Sequence, residues 1–139
     1  MDRSVLAALV IAALSIAAAP ARAANAPDWE ALKDVGQIEI FTHDEDGDVR
    51  ETTIWFVTVD GEGFIRTGGS SWGENIRRDP ADVVLRIEDV DYPMQAEFIE
   101  SDSLRERVVK AFREKYGWFD GFINFVRGKR PNIMHMITR

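Results

Sequence analysis

A glycine- and serine-rich segment from Arg66 to Ser71 has the residue types that bind phosphate groups. Glycines let backbone N–H groups approach an anion, hydroxyls donate hydrogen bonds, and a guanidinium supplies positive charge. A short helix is predicted over Glu74 to Asp79, and a helix N-terminus favours anions. The alternative is a ligand-free connection made of turn-forming residues, which is common. The candidate phosphate ligands are Arg66, Thr67, Gly68, Gly69, Ser70 and Ser71.

Aromatic side chains are the second candidate feature, because they stack on planar ligands such as flavins. Trp55, Trp72, Trp118 and Phe119 have the required rings. The alternative is ordinary packing in a core or an interface, and for Trp55, within a strand, packing is favoured. Trp72 and Trp118 lie in loop-like segments, where a role in a pocket is easier to support.

Other common chemistries lack support in the sequence. There is no cysteine, and no Gly-x-Ser-x-Gly segment indicates a serine hydrolase. His43 and His135 have no partner at ligand spacing within the same element, which argues against zinc. The acidic run Asp44 to Asp48 lacks the spacing and the distal Glu of an EF-hand, so we interpret it as a hairpin turn.

The first 23 residues have the pattern of an export signal. A short n-region precedes the apolar run Ser4 to Ala19, Pro20 ends that run, and Ala21 and Ala23 satisfy the small-x-small cleavage rule. The run is shorter than the ~20 residues of a membrane-spanning helix. We therefore expect cleavage near Ala23, a mature domain over residues 24–139 in the periplasm or secreted, and no stable membrane anchor after cleavage. No twin-arginine pair is present, so we expect export of the unfolded chain.

The net charge of the chain argues against general binding to nucleic acids and to anionic membranes. The formal net charge is −7, and removing a leader with one Asp and two Arg residues makes it more negative. Such a domain is repelled by nucleic-acid phosphates and by anionic membranes. We expect no nucleic-acid partner; the candidate phosphate-binding segment predicts a small-molecule ligand instead.

Hydrophobic periodicity predicts six strands and three or four helices. The strongest strand covers residues 49–60, where apolar residues on both faces indicate a central position. The longest helix begins at Ser103, with Ser103 and Glu106 as a capping box, and ends at Gly117. The predicted strands are 37–43, 49–60, 64–67, 83–87, 92–99 and 132–139; the predicted helices are 29–35, 74–79, 103–116 and, less clearly, 118–127.

Short turns join most of these strands, so the sheet should be mainly antiparallel. Many short strands with few helices are typical of a small barrel rather than a doubly wound sheet. The predicted fold class is α+β: a small, mainly antiparallel split β-barrel of about six strands with flanking helices.

Several segments, in this order, are similar to a bacterial branch of the split β-barrel superfamily, which includes pyridoxamine phosphate oxidases and deazaflavin-dependent nitroreductases. The resemblance covers essentially the whole mature chain. A Trp-x-x-Asn-x-x-x-x-Pro pattern from Trp72 to Pro80 resembles the nitroreductases in particular, with Ile76 where they have Leu. The other segments are Trp29–Leu32, Asp46–Gly47, Arg50, Thr53–Val57, Phe64–Gly68 and Lys115–Gly117.

The resemblance implies a homodimer that binds FMN or a deazaflavin near the dimer interface and acts as an oxidoreductase. It places the cofactor phosphate at Arg66, Thr67, Ser70 and Ser71, with Arg78 as a further ligand, and the cofactor ring at Trp55 and Trp72. The sequence departs from the family in one respect, because the loop from Gly68 to Gly73 contains no Lys or Arg. The alternative is a cofactor-free exported barrel that binds a small apolar or haem-like ligand or a protein partner.

Overall fold

The computed structural model describes residues 26–117 and 132–139. They form seven strands and two helices, in agreement with the α+β class predicted from the sequence. The strands are β1 (Ile38–His43), β2 (Val49–Ile54), β3 (Phe56–Val59), β4 (Glu62–Thr67), β5 (Val83–Ile87), β6 (Val90–Phe98) and β7 (Asn132–Thr138), and the helices are α1 (Ser71–Arg78) and α2 (Asp102–Tyr116).

The strands form a single sheet in the order β2-β1-β5-β6-β7-β4-β3. Every neighbouring pair is antiparallel, as the short connections predict. Alternation places one set of side chains on the concave face, which forms the larger hydrophobic core, and the other set on the outer face beside α2. The sheet is curled into a half-barrel, and the prediction of a small antiparallel barrel is confirmed.

The predicted strand over residues 49–60 is divided at Trp55, which accounts for a seventh strand. Its two halves, β2 and β3, form the opposite edges of the sheet, so the prediction of one central strand was wrong. Because they are consecutive in the chain, the sheet curls until its two edges meet at Trp55. We call this junction, residues 54–56, the seam.

Side chains from the end of α2 bind the backbone at the seam. The Tyr116 hydroxyl lies 2.9 Å from both the Gly36 and Phe56 carbonyl oxygens, and it accepts a hydrogen bond from the Phe56 N–H at 3.2 Å. Lys115 Nζ donates to the Phe56 carbonyl at 3.0 Å. A strand that leaves one edge and joins the other leaves backbone groups without ladder partners, and these side chains bind them.

The helix boundaries differ from the sequence expectations at the caps. The Ser70 side chain caps α1, so that Ser71 and Trp72 belong to the helix rather than to the loop. Ser101, and not Ser103, caps α2 by accepting from the Leu104 N–H. A serine at either position could cap a helix. Because α2 begins at Asp102, Ser101 has the extended backbone of a cap and Ser103 lies within the helix.

The helix predicted over residues 29–35 is absent. Asp28 does accept a hydrogen bond from the Ala31 N–H, and Leu32 N–H donates to the Asp28 carbonyl. The next bond, from Val35 to Leu32, spans three residues, so the segment forms turns instead of a continuing helix. Trp29 enters the barrel core here, and its ring occupies the space where a Cβ on Gly63 would lie, 2.4 Å from the indole.

The predicted leader and residues 118–131 lie outside the described residues, and with them Trp118 and Phe119. No helix in the described part of the chain is long and apolar enough to cross a bilayer.

The seam gives a first prediction. Tyr116→Phe keeps the ring and removes the hydroxyl that serves three backbone groups, so we expect it to lower the free energy of unfolding by about 1–3 kcal/mol. Tyr92→Phe is the matched control, because the Tyr92 hydroxyl has no hydrogen-bond partner among residues 26–117 and 132–139, and it should change stability by less than about 0.5 kcal/mol. Urea unfolding measures both, and equal effects would contradict the role of the hydroxyl.

Candidate functional site

The candidate site residues fall into two groups because adjacent strand residues point to opposite faces. Arg66 faces α2, on the same side of β4 as Phe64. Thr67 is buried on the other side of the strand, against α1. The side chains of these two neighbours therefore do not form one cluster.

The first group lies on the outer face of the sheet, beneath α2. The Arg66 guanidinium carbon lies 4.4 Å from the centre of the Phe112 ring. Burial lowers the pKa of Arg66 from its ordinary value to about 10, an effect that the nearby Tyr116 partly offsets. A desolvated guanidinium over an aromatic ring interacts more strongly with an arriving anion than a fully hydrated one does.

Trp55 adds a planar surface to the same face. Its ring stacks on Tyr116 with a centroid distance of 4.2 Å and an interplanar angle of 3°. The Phe112 ring lies 6.0 Å from Tyr116, so three aromatic side chains and Arg66 adjoin one another. This group, Trp55, Arg66, Phe112 and Tyr116, is called the aromatic face below. Phe112 is fully buried, so only the partly exposed Trp55, Tyr116 and Arg66 could contact a planar ring and an anionic group.

The second group is the turn into α1. Thr67 Oγ1 and Ser70 Oγ are 2.6 Å apart, and Ser70 Oγ also accepts from the Gly73 N–H at 3.4 Å. A Cβ on Gly73 would lie 2.8 Å from Thr67 Oγ1, so only glycine allows this close approach. Both hydroxyls therefore serve the helix cap, while Gly68 and Gly69 are exposed, with Gly69 at φ +97°.

Trp72 and Arg78 lie apart from the aromatic face. Trp72 is 8% exposed and packs in the barrel core with Ile76, one helical turn later, so the structure does not bring the Trp55 and Trp72 rings together. Arg78 is at the other end of α1, about 10 Å along the axis from Ser71. Its guanidinium donates to Asn75 Oδ1 at 3.2 Å and to the His43 carbonyl at 3.4 Å.

Asn75 explains the position of Arg78. It is 6% exposed, and its amide donates to Thr42 Oγ1 at 3.0 Å and to Asp44 Oδ1 at 2.8 Å. Asp44 also accepts two hydrogen bonds from Arg50, which with Asn75 lower the pKa of its carboxyl. This network attaches α1 to the β1–β2 hairpin, whose acidic turn is closed by backbone hydrogen bonds between Asp44 and residues 47 and 48.

Lys115 and Tyr116 are site residues that the sequence reading did not select. The charge of a helix C-terminus accounts for a Lys at this position, but Lys115 Nζ instead lies 3.7 Å above the centre of the Phe56 ring. Burial lowers the pKa of Lys115 to about 8, and Asp34 partly offsets the effect. Nothing local indicates a contact between residues 59 positions apart. The available signal was helical periodicity, because Tyr116 extends the apolar stripe of α2 that contains Leu104, Val108, Ala111 and Phe112.

Lys115 gives a second prediction, in the pH dependence of stability. The folded protein releases the Lys115 proton near pH 8 and the unfolded chain near 10.5, so between these values the unfolded state binds more protons and stability rises with pH. Relative to Lys115→Met, the wild-type protein should therefore gain stability as the pH is raised from 7 to 10. Urea unfolding at four pH values tests this.

Lys33→Met is the control for that titration. Glu30 raises the pKa of Lys33, so Lys33 stays protonated in both states over most of this range. The stability difference between wild type and Lys33→Met should then stay nearly constant. A constant difference for Lys115→Met as well would contradict the shift at Lys115.

No family model and no curated protein matches this chain. Solved structures do match, at low identity. ChuZ from Campylobacter jejuni aligns with a TM-score of 0.64 and 14% identity over 79% of this chain. The chain spans 50% of the length of ChuZ.

Two further solved structures align with this chain over most of their own length. HutZ, described as the heme storage protein from Vibrio cholerae, has a TM-score of 0.63 and 14% identity over 83% of this chain and 90% of its own. An F420-H2 dependent reductase, FDR-A, has a TM-score of 0.58 and 18% identity over 73% of this chain and 94% of its own. The order of the strands, the curled sheet and these alignments agree: the chain has the split β-barrel fold.

Proposed function

We propose that this protein binds a phosphate-bearing flavin or deazaflavin on the aromatic face and acts as an oxidoreductase. The observation that carries the proposal is the Arg66 guanidinium, which is partly buried over Phe112 beside the Trp55–Tyr116 stack. The F420-H2 dependent reductase, which has the same fold, supports this class of cofactor. The bound cofactor would supply hydride transfer, and the protein would position its ring and exclude water.

The phosphate contacts in this proposal differ from those expected from the sequence. Arg66 binds the anionic group, and the exposed Gly68, Gly69 and Ser71 lie two to five positions after it in the chain. The Thr67 and Ser70 hydroxyls hold the start of α1 in place, and Arg78 acts at its far end. Trp55 and Tyr116 form the surface for the ring. We further propose a homodimer, exported by the signal at residues 1–23, as the resemblance and the leader pattern imply.

The third prediction tests Arg66 by cofactor binding. Purified protein of residues 24–139 is titrated with FMN and with F420, and cofactor fluorescence reports the bound fraction. Arg66→Met should raise Kd by about 10- to 100-fold for the cofactor that binds, because a charge-assisted contact contributes about 1.5–3 kcal/mol. Arg86→Met is the matched control, since the Arg86 guanidinium also lies over a ring, 4.6 Å from Phe41, at another site. Arg86→Met should leave Kd within about twofold.

The absence of saturable binding of either cofactor would contradict the proposal, and so would an Arg66→Met protein that binds as tightly as wild type. The mass of the exported protein tests the leader separately, because cleavage after Ala23 leaves residues 24–139.

A second candidate is a cofactor-free barrel that binds a haem-like or small apolar ligand or a protein partner. The specific support is the match to HutZ, a heme storage protein by its description, together with the lack of Lys or Arg between Gly68 and Gly73. Haem titration followed by absorbance distinguishes the two candidates. Binding of haem that is unchanged in Arg66→Met, without binding of either flavin, would favour the second.

A further inference from the structure

The segment before β1 inserts a single aromatic ring into the barrel. Trp29 is 7% exposed and belongs to the larger hydrophobic core, whereas Glu30, Ala31 and Lys33 beside it are exposed. This segment, residues 26–36, is called the arm below. It forms turns instead of a strand or a continuing helix, so side-chain packing rather than backbone pairing holds it against the barrel.

The indole of Trp29 lies in a cradle formed by Phe56 on β3 and Gly63 on β4. The Trp29 and Phe56 ring centres are 5.7 Å apart, at an interplanar angle of 51°. A Cβ at residue 63 would overlap three atoms of the indole, so glycine is needed for a flat ring to lie against this strand. Glycine weakens a strand and often marks the close approach of a ligand or of another part of the chain. The cradle thus has the outline of a planar bicyclic ring.

Few hydrogen bonds hold the arm, and one polar group of Trp29 is left without a partner. Thr58 Oγ1 donates to the Trp29 carbonyl at 2.8 Å, and the Tyr116 hydroxyl donates to the Gly36 carbonyl at 2.9 Å. The Trp29 indole N–H has no hydrogen-bond acceptor among residues 26–117 and 132–139. A buried indole usually has an acceptor, and burial without one is unfavourable. Release of the ring into water removes this unfavourable contribution.

The local sequence of the arm also opposes its inserted form. Asp28 and Gly36 are typical of the two ends of a helix, and Asp28 does accept from the Ala31 N–H. The segment nevertheless forms turns where Trp29 enters the core. A local preference that disagrees with the folded state is expected at strained or functional sites. Burial of the ring therefore favours insertion, while the helix preference and the unpaired N–H favour release.

We propose that the Trp29 ring is the internal occupant of a binding site, and that a small, uncharged, bicyclic aromatic molecule binds the cradle in its place and releases the arm. Ile65 and Met134 are fully buried in the same core, which makes a charged ligand unfavourable there. A molecule with the outline of indole and no N–H fills the cradle without an unpaired donor. Because the cradle faces the inside of the barrel, this site is separate from the aromatic face on the outside.

The fourth prediction is that naphthalene releases the arm of the wild-type protein. Residues 24–139 are incubated with trypsin in buffer saturated with naphthalene, and mass spectrometry compares cleavage after Lys33, in the arm, with cleavage after Lys110, in α2. Such cleavage follows the population of the open state. Naphthalene should raise the rate after Lys33 by about fivefold or more, because it binds only the released form. The rate after Lys110 should stay unchanged, which excludes general unfolding.

Naphthalene-2-sulfonate is the matched probe, because it has the same rings and a charge, and it should change neither rate. An unchanged rate after Lys33 in naphthalene, or an equal effect of the sulfonate, would overturn the proposal. The measurement uses the wild-type protein, so it does not depend on the folding of any variant.

Removal of the internal occupant gives a second test of the same site. In Trp29→Ala the ring no longer competes, so naphthalene should bind about tenfold more tightly than to wild type, as its fluorescence reports. Trp72→Ala is the matched control, because it removes a second indole of the same core, 8% exposed and in α1, and leaves the arm in place. Equal gains in both variants would indicate cavities made by truncation and would overturn the proposal. Neither test needs a bound flavin, so both are independent of the cofactor proposal.

Discussion

The structure depends on how the chain passes from one edge of the sheet to the other at Trp55. A curled sheet whose edges are consecutive segments must leave backbone groups unpaired at their junction, and buried unpaired groups are strongly unfavourable. The Tyr116 hydroxyl and the Lys115 amine bind the Phe56 backbone there, and Tyr116 also binds the Gly36 carbonyl. The last turn of α2 therefore binds two parts of the barrel, the seam and the segment that precedes β1.

The same contacts arrange the aromatic face. With Tyr116 fixed at the seam, one side of α2 places Phe112 over Arg66 and stacks Tyr116 on Trp55, which forms the aromatic face. The other side places Lys115 over the Phe56 ring, with the Phe56 carbonyl as its hydrogen-bond acceptor. Both cations are partly buried, and burial lowers the pKa of each. A structural requirement has thus placed two partly buried cations over aromatic rings.

Local patterns predicted the elements well, because alternation and helical periodicity are set by neighbouring residues. The strands β1, β5 and β7 and the body of α2 lie where the sequence places them. The division at Trp55 was missed because Val49 to Val59 has uniform strand propensity, and only the closing of the sheet requires a bend. Strand alternation could have predicted that Arg66 and Thr67 point to opposite faces. No local pattern could have predicted the hydrogen bonds between the Tyr116 hydroxyl and the Phe56 backbone.

Hydrogen exchange at the Phe56 amide tests the seam most directly. Its N–H donates to a side-chain hydroxyl rather than to a neighbouring strand, so its protection reports the contact with Tyr116 itself. We predict that in the wild-type protein this amide exchanges only through global unfolding, with a free energy equal to that from urea unfolding. Exchange of Phe56 at the rate of an unstructured peptide would contradict the account.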